Sequence, residues 1–196
     1  MNKKSYSGYI IGALLVVVGI WLITTYNGLV KKDEKVKLQW NEVQNSYQRR
    51  LDLIPNLVNV VKGGAFFEQG TLVKISEARS KATAVNVSAN DVNASAYNAQ
   101  AAAQDELAAA ANRLIIAVEK YPELQGAKAF AGLQTQLERT ELRIKVARKD
   151  FNAAVAEYNK SVRAFPTKLA AGMLGFPAKD GFQSDAGADK SVEIKF

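Results

Sequence analysis

Two residue types are missing from this chain of 196 residues: cysteine and histidine. Without cysteine no disulfide holds the fold, and no thiolate is available as nucleophile or metal ligand. Without histidine, serine–histidine and cysteine–histidine pairs cannot form. Zinc sites built on imidazole or thiolate are excluded with them. Asp105 and Glu106 could be imagined as an acid–base pair, but no nucleophile or ligand set accompanies them. Their expected role is to solvate an alanine-rich helix. Neither a catalytic residue, a cofactor-binding residue nor a metal ligand is expected.

Charge is missing from one long stretch. Between Ser5 and Val30 no charged side chain occurs, and Ile10 to Ile23 reads IIGALLVVVGIWLI. A helix rises about 1.5 Å per residue, so about 20 apolar residues cross the hydrocarbon core of a bilayer. Tyr9 and Ile10 mark one end of the span and Trp21 and Tyr26 the other. Their rings sit where amphipathic side chains favour the headgroup region. No small-x-small cleavage site follows, so the segment reads as a retained anchor rather than a signal peptide.

The net charge of +7 is concentrated near that anchor. Residues 31–62 hold seven basic and four acidic side chains, and the first four residues add Lys3 and Lys4. Basic groups beside an anionic leaflet gain about 1 kcal/mol each, so membrane lipids with anionic headgroups are expected partners. No basic stripe interleaved with aromatics is present, and no nucleic-acid partner is expected. Lys31, Lys32, Lys35 and Lys37 outnumber Lys3 and Lys4, which favours the large domain on the cytoplasmic side, with the periplasmic side open.

Beyond the anchor, apolar residues recur at Val36, Trp40, Val43, Tyr47, Leu51, Ile54, Val58 and Val61. Steps of three and four predict a long amphipathic helix with a seam close to that of a coiled coil. Pro55 lacks an amide, and its ring opposes the carbonyl of Leu51, so a kink is expected there. Gly63-Gly64 stops the helix. A second helix is predicted over 65–84, with Phe66 or Phe67, Leu72, Ile75, Ala78 and Ala82 inward. A third runs over 96–121, with Leu107, Ala111, Leu114 and Val118 inward, and ends before Pro122. The fourth follows Phe130, Leu133, Leu137, Ile144, Phe151, Val155, Tyr158, Val162 and Phe165, and Pro166 closes it. Residues 170–190 read as irregular. The final VEIKF alternates like an edge strand, with disorder or docking on the bundle as the other readings.

The expected fold is all-α: an N-terminal transmembrane helix over 1–30, an elongated antiparallel bundle of three to four helices over 31–168, and an irregular tail over 169–196. Charged residues on or near the seams form the candidate interaction or register cluster: Arg49, Arg50, Asp52, Pro55, Glu138, Glu141 and Arg148. One reading has the arginines gripping a lipid phosphate, a partner or a neighbouring subunit. The other has Arg50 and Asp52 paired with Glu138, Glu141 or Arg148 of the last helix, setting register. Asn27, Asn152 and Asn159 recur beside aromatics and suit seam hydrogen bonds or caps.

The strings YNGLV (26–30), WNEVQNSYQRRLDLIPNLVNVVKG (40–63), ISEARSKA (75–82), YPEL (121–124) and LERTELRIKVARKDFNAAVAEYN (137–159), with Pro166 and the GF at 175–176, resemble the LemA family. The resemblance runs from Tyr26 over nearly the whole remaining chain. It departs at Gly63-Gly64-Ala65 and at Gly70, which are softer than the family's helix pair, and the anchor matches by type rather than by motif. The resemblance implies a single-pass bacterial inner-membrane protein with a helical bundle and no established catalytic residues. From these features we expect an oligomerising scaffold or adaptor at the envelope, a homo-oligomer with an unidentified envelope protein as partner. The alternative is a sensor relaying membrane state to a soluble partner, with Pro55 as its movable element.

Overall fold

The apolar anchor and the first amphipathic stripe belong to one helix, α1, Ser7–Lys62, of 56 residues. At 1.5 Å per residue it is about 84 Å long. The computed structural model describes residues 7–62, 69–88, 93–118 and 128–182. Within them follow α2 (Gln69–Ala84), α3 (Ala94–Val118), α4 (Lys128–Arg163) and α5 (Thr167–Met173), with no strand among the described residues. The predicted stops at Gly63-Gly64 and Tyr121-Pro122, the inward Phe66 or Phe67, and the terminal VEIKF lie outside the described residues.

α1 and α4 form the main antiparallel pair, and α2 and α3 pack on its far half. Lys35 meets Glu157, and Arg50 meets Glu141, so the numbers run opposite on the two long helices. Side-chain bonds from Gln44 to Gln100 and from Arg50 to Gln104 show α3 running parallel to α1. The result is an up-down-up-down bundle at the end distant from the anchor. Nearer the anchor, α2 is absent and only the first turns of α3 reach in, so α5 with the segment after it covers the α1–α4 pair.

Two apolar cores result. The anchor-side core joins Leu29, Val36, Trp40 and Tyr47 of α1 to Tyr97, Phe151 and Tyr158. The distal core joins Leu51, Ile54 and Val61 to Ile75, Ala78, Leu107, Leu114 and Leu137. Most of these positions are the predicted inward ones. Leu57 faces inward while Val58 is half-buried, because the helix turns its seam toward α2 at this level. Phe165 is exposed rather than inward, since α4 ends at Arg163 and the helical face ends with it. On α4, Thr140 takes the inward seam position adjacent to Glu141, and its hydroxyl donates to the Gln136 carbonyl at 2.8 Å. The boundary expected at 168 falls inside α5. Its TKLAAGM sequence is made largely of good helix formers, and it buries Ala170 and Ala171.

α1 passes through Pro55 without a break. A proline there leaves the carbonyl four residues earlier, that of Leu51, without its intrahelical donor. Arg79 of α2 supplies the missing donor: its Nε donates to the Leu51 carbonyl at 3.2 Å. The penalty of one residue is thus met by a side chain from another helix. Arg79→Leu should therefore destabilise the bundle by about 1–2 kcal/mol, the cost of leaving a half-buried acceptor unpaired. In a Pro55→Ala background, where the helix regains its own amide, the same change should cost clearly less. Denaturant melts of the four-member cycle measure this coupling. Equal costs in both backgrounds would disprove it.

Candidate functional site

Between the two cores lies a polar layer centred on Arg50, which is 1% exposed. Its Nη1 donates to the Gln104 backbone carbonyl at 2.7 Å and to Gln104 Oε1 at 3.3 Å. Its Nη2 pairs with the Glu141 carboxylate. One guanidinium therefore ties α1 to both α3 and α4. Arg50 Nε and Gln104 Nε2 are buried without a hydrogen-bond partner in the protein. Such a layer is costly to desolvate, and removing one partner from it costs more than replacing both by apolar side chains. Alongside it, Arg148 donates from Nε to the Tyr47 hydroxyl at 2.9 Å and from Nη2 to Asp105 at 2.8 Å. Its guanidinium lies 5.5 Å from the rings of Tyr47 and Phe182. Burial pushes the Tyr47 hydroxyl above its ordinary pKa against the opposing pull of Arg148.

The second constellation holds the segment after α5. Asn159 donates to the Lys179 carbonyl at 2.6 Å and accepts from the Lys179 amide at 2.8 Å. Asn152 does the same to Phe182, at 3.2 and 2.7 Å. Seven helical residues rise about 10.5 Å, and three extended residues about 10 Å, so the paired clamps match a nearly extended chain running antiparallel to α4. The Tyr158 hydroxyl donates to the Pro177 carbonyl at 2.8 Å, and the Tyr97 hydroxyl to that of Gly181 at 3.2 Å. A Cβ at Gly181 would lie 2.7 Å from the Asn152 oxygen, so glycine permits this approach. The Phe182 ring then joins Trp40, Tyr97 and Phe151 at centroid distances of 5.9, 5.2 and 5.4 Å. Lys179 pairs with Asp33 of α1 at 2.9 Å.

The predicted residues separate into distinct places. Tyr9 and Ile10 are exposed on the apolar part of α1, Trp21 is partly covered, and Tyr26 meets Phe176 edge-on at 5.7 Å. Arg50 and Glu141 pair as one of the two readings expected. Arg148 does not reach Asp52. It binds Asp105, because Arg148 faces the α3 side of the α1–α4 pair while Asp52 lines the groove on the other side, so Asp105 is a structural partner rather than a solvating group. Glu106 likewise pairs with Lys81. Asp52 accepts from Gln48, and Glu138 from Gln134, each within its own helix. Arg49 and Asp52 line an open groove between α1 and α4 with Glu42, Leu142, Arg143 and Val146. Gln104 and Arg79 went unnoticed in the sequence, since nothing local to them shows a partner. The asparagines beside aromatics carried a signal without showing what they would bind. Among the described residues no group of acidic side chains could hold a metal ion.

Three outcomes follow from this geometry. Glu141→Ala, which strands Arg50, should destabilise by about 3 kcal/mol, whereas Arg50→Met with Glu141→Leu should lie closer to the parent in denaturant melts. Asn152→Ala and Asn159→Ala each remove two hydrogen bonds and should cost about 1–3 kcal/mol, with faster hydrogen exchange at the Phe182 and Lys179 amides respectively. The clamped segment should also loosen at both pH extremes. Burial raises the Asp33 carboxyl, but the hydrogen bonds and charges of Lys179 and Lys37 outweigh it, so the net value lies below the ordinary 3.8. That contribution is complete above 3.8 and is lost as the pH falls through the lowered value. Burial raises Tyr97 and Tyr158 from 10 to about 12, with Asp180 and Asp33 adding to it, so their contribution is complete below pH 10 and lost as the pH rises through 12. Near-ultraviolet circular dichroism of Trp40 in a Trp21→Phe variant reports both transitions.

Comparison with known proteins agrees with this architecture. The LemA family model matches residues 39–196. Magnetosome proteins MamQ 1 and MamQ 2 of Paramagnetospirillum magneticum are each 26% identical over 201 residues, covering 93% of this chain and 74% of theirs. Magnetosome protein MamQ of Magnetospirillum gryphiswaldense is 32% identical over 79 residues, covering 40% of this chain and 29% of its own. The matched region begins one residue before Trp40 and takes in the Arg50 layer, the proline with its Arg79 partner and the asparagine clamps. The chain belongs to the LemA family.

Proposed function

We propose that this protein is a non-enzymatic scaffold or adaptor, held by one span in the bacterial inner membrane with its bundle on the cytoplasmic side, and that it works as a homo-oligomer. The observation that carries this reading is the open groove between α1 and α4. Leu142 and Val146 stand exposed in it, with Glu42, Arg49 and Asp52 along one wall and Arg143 and Asp150 along the other. Both helices offer both charge signs around an apolar strip, which suits a two-fold contact between identical surfaces. Anchored copies share a plane, so their effective concentration is high and modest contacts suffice. Lys31, Lys32 and Lys35 at the membrane flank suit anionic headgroups. In this reading an envelope protein is the further partner. The sensor reading has less support, because the Leu51 carbonyl that Pro55 leaves free is already held by Arg79.

In lipid nanodiscs or mild detergent, the full-length protein should scatter light as a dimer or larger. Leu142→Glu with Val146→Glu should shift it to monomer while leaving the melting temperature nearly unchanged, since both positions are exposed. A strict monomer at high concentration would sink the scaffold reading.

A further inference from the structure

The end of α4 and the short α5 form an elbow with an unusual surface. Phe165 is 84% exposed, Leu169 62% and Met173 85%, while Ala170 and Ala171 on the opposite side are buried. Exposed Arg163 and Lys168 flank these apolar side chains. Solvated surfaces rarely display phenylalanine, leucine and methionine side by side.

Its height along α1 explains the display. Lys35 meets Glu157 at 2.7 Å, and Lys32 meets Ser161 at 2.5 Å, so α4 climbs toward the anchor and ends level with the charged residues of α1 nearest the anchor. α5 packs on α1 beyond that point: Ala171 shares a core with Leu29, and Phe176 lies against Tyr26. Trp21, Leu22 and Thr25 are partly covered, whereas Gly8 to Val18 are exposed throughout. The elbow therefore stands beside residues that belong to the uncharged span.

We infer that Phe165, Leu169 and Met173 insert into the same bilayer that α1 crosses, with Arg163 and Lys168 at the headgroups, giving the bundle a second, monotopic membrane contact. The occupant is lipid because this face is continuous with the anchor's own apolar surface and lies on the membrane side of Lys31 and Lys32. Amphipathic segments with basic flanks bury their apolar face at the headgroup–acyl boundary. Two contacts of this kind fix the tilt of α1 and stop the bundle swinging about a single helix. The inference rests on the membrane reading of α1.

The cysteine-free chain allows a direct test. Nitroxide labels are placed one at a time on Phe165→Cys, Leu169→Cys and Met173→Cys in the full-length protein, reconstituted in phosphatidylcholine–phosphatidylglycerol vesicles. Val16→Cys serves as the anchor control and Ile116→Cys, outside the proposed oligomer contact, as the bundle control. All five positions are exposed, and circular dichroism checks that each variant keeps its helix content. Relaxation by oxygen, which concentrates in lipid, is compared with relaxation by a water-soluble nickel chelate. The elbow labels should favour oxygen, as Val16→Cys does and in reverse of Ile116→Cys. If Val16→Cys favours oxygen while the elbow labels follow Ile116→Cys, the elbow is in water and the inference fails alone. If Val16→Cys itself favours nickel, the anchor reading fails with it. Elbow labels shielded from both reagents would mean that protein covers this face, which also overturns the inference.

Discussion

One helix has to satisfy two solvents. α1 exposes a wholly apolar surface over its first turns and buries an amphipathic seam over its last. No flexible joint lies between the two regimes, so the orientation of the bundle is inherited from the helix itself. Everything else packs against α1 from Tyr26 onward. α4 matches it over most of that length, α2 and α3 complete the far end, and α5 with the clamped segment completes the near end. A long two-helix rod has too little apolar contact to be stable alone. The different coverings at its two ends solve that problem with whatever chain is within reach.

The polar groups that this arrangement buries are met in three ways. The carbonyl freed by Pro55 is capped from a neighbouring helix by Arg79. The Arg50 charge is divided between a backbone carbonyl on α3 and a carboxylate on α4, which locks three helices at one height. The backbone after α5, which has no helix to satisfy it, borrows the side-chain amides of Asn152 and Asn159. In each case the donor or acceptor comes from another element, because a helix can satisfy only its own backbone. The polar layer also divides the apolar interior into two cores, so that slipping one helix by a turn would place a charge in oil.

These solutions follow the gradient of the molecule. The distal core is built mainly from aliphatic side chains and alanine, together with Phe130, suited to close helix packing. The anchor-side core is aromatic, with Trp40, Tyr97, Phe151 and Phe182 forming a cluster of edge and tilted contacts. Aromatic rings fill the wider space left where α2 ends and a thinner, non-helical segment takes its place. Trp40 also donates from its indole to the Val87 carbonyl at 3.1 Å, closing the loop that follows α2.

The helices and their inward faces were legible in the sequence because each depends on a period of 3.6 residues, a property of neighbours in the chain. The anchor was legible for the same reason, as an unbroken run without charge. The string RRLDLIP places charge beside the seam, and the Arg50–Glu141 pair is one of the two arrangements that placement allows. The partner of Arg148 was not legible: Asp105 stands 43 residues away on a helix whose rotation only packing decides. Nor was the donor for the Leu51 carbonyl that Pro55 leaves free, since Arg79 reaches that carbonyl across 28 residues. The asparagines at 152 and 159 looked like seam residues, and only the return of the chain over α4 turned them into clamps. Local periodicity decides which face of a helix is buried. Which polar side chain meets which depends on the height and rotation of one helix against another, and those are settled by the packing of the whole bundle.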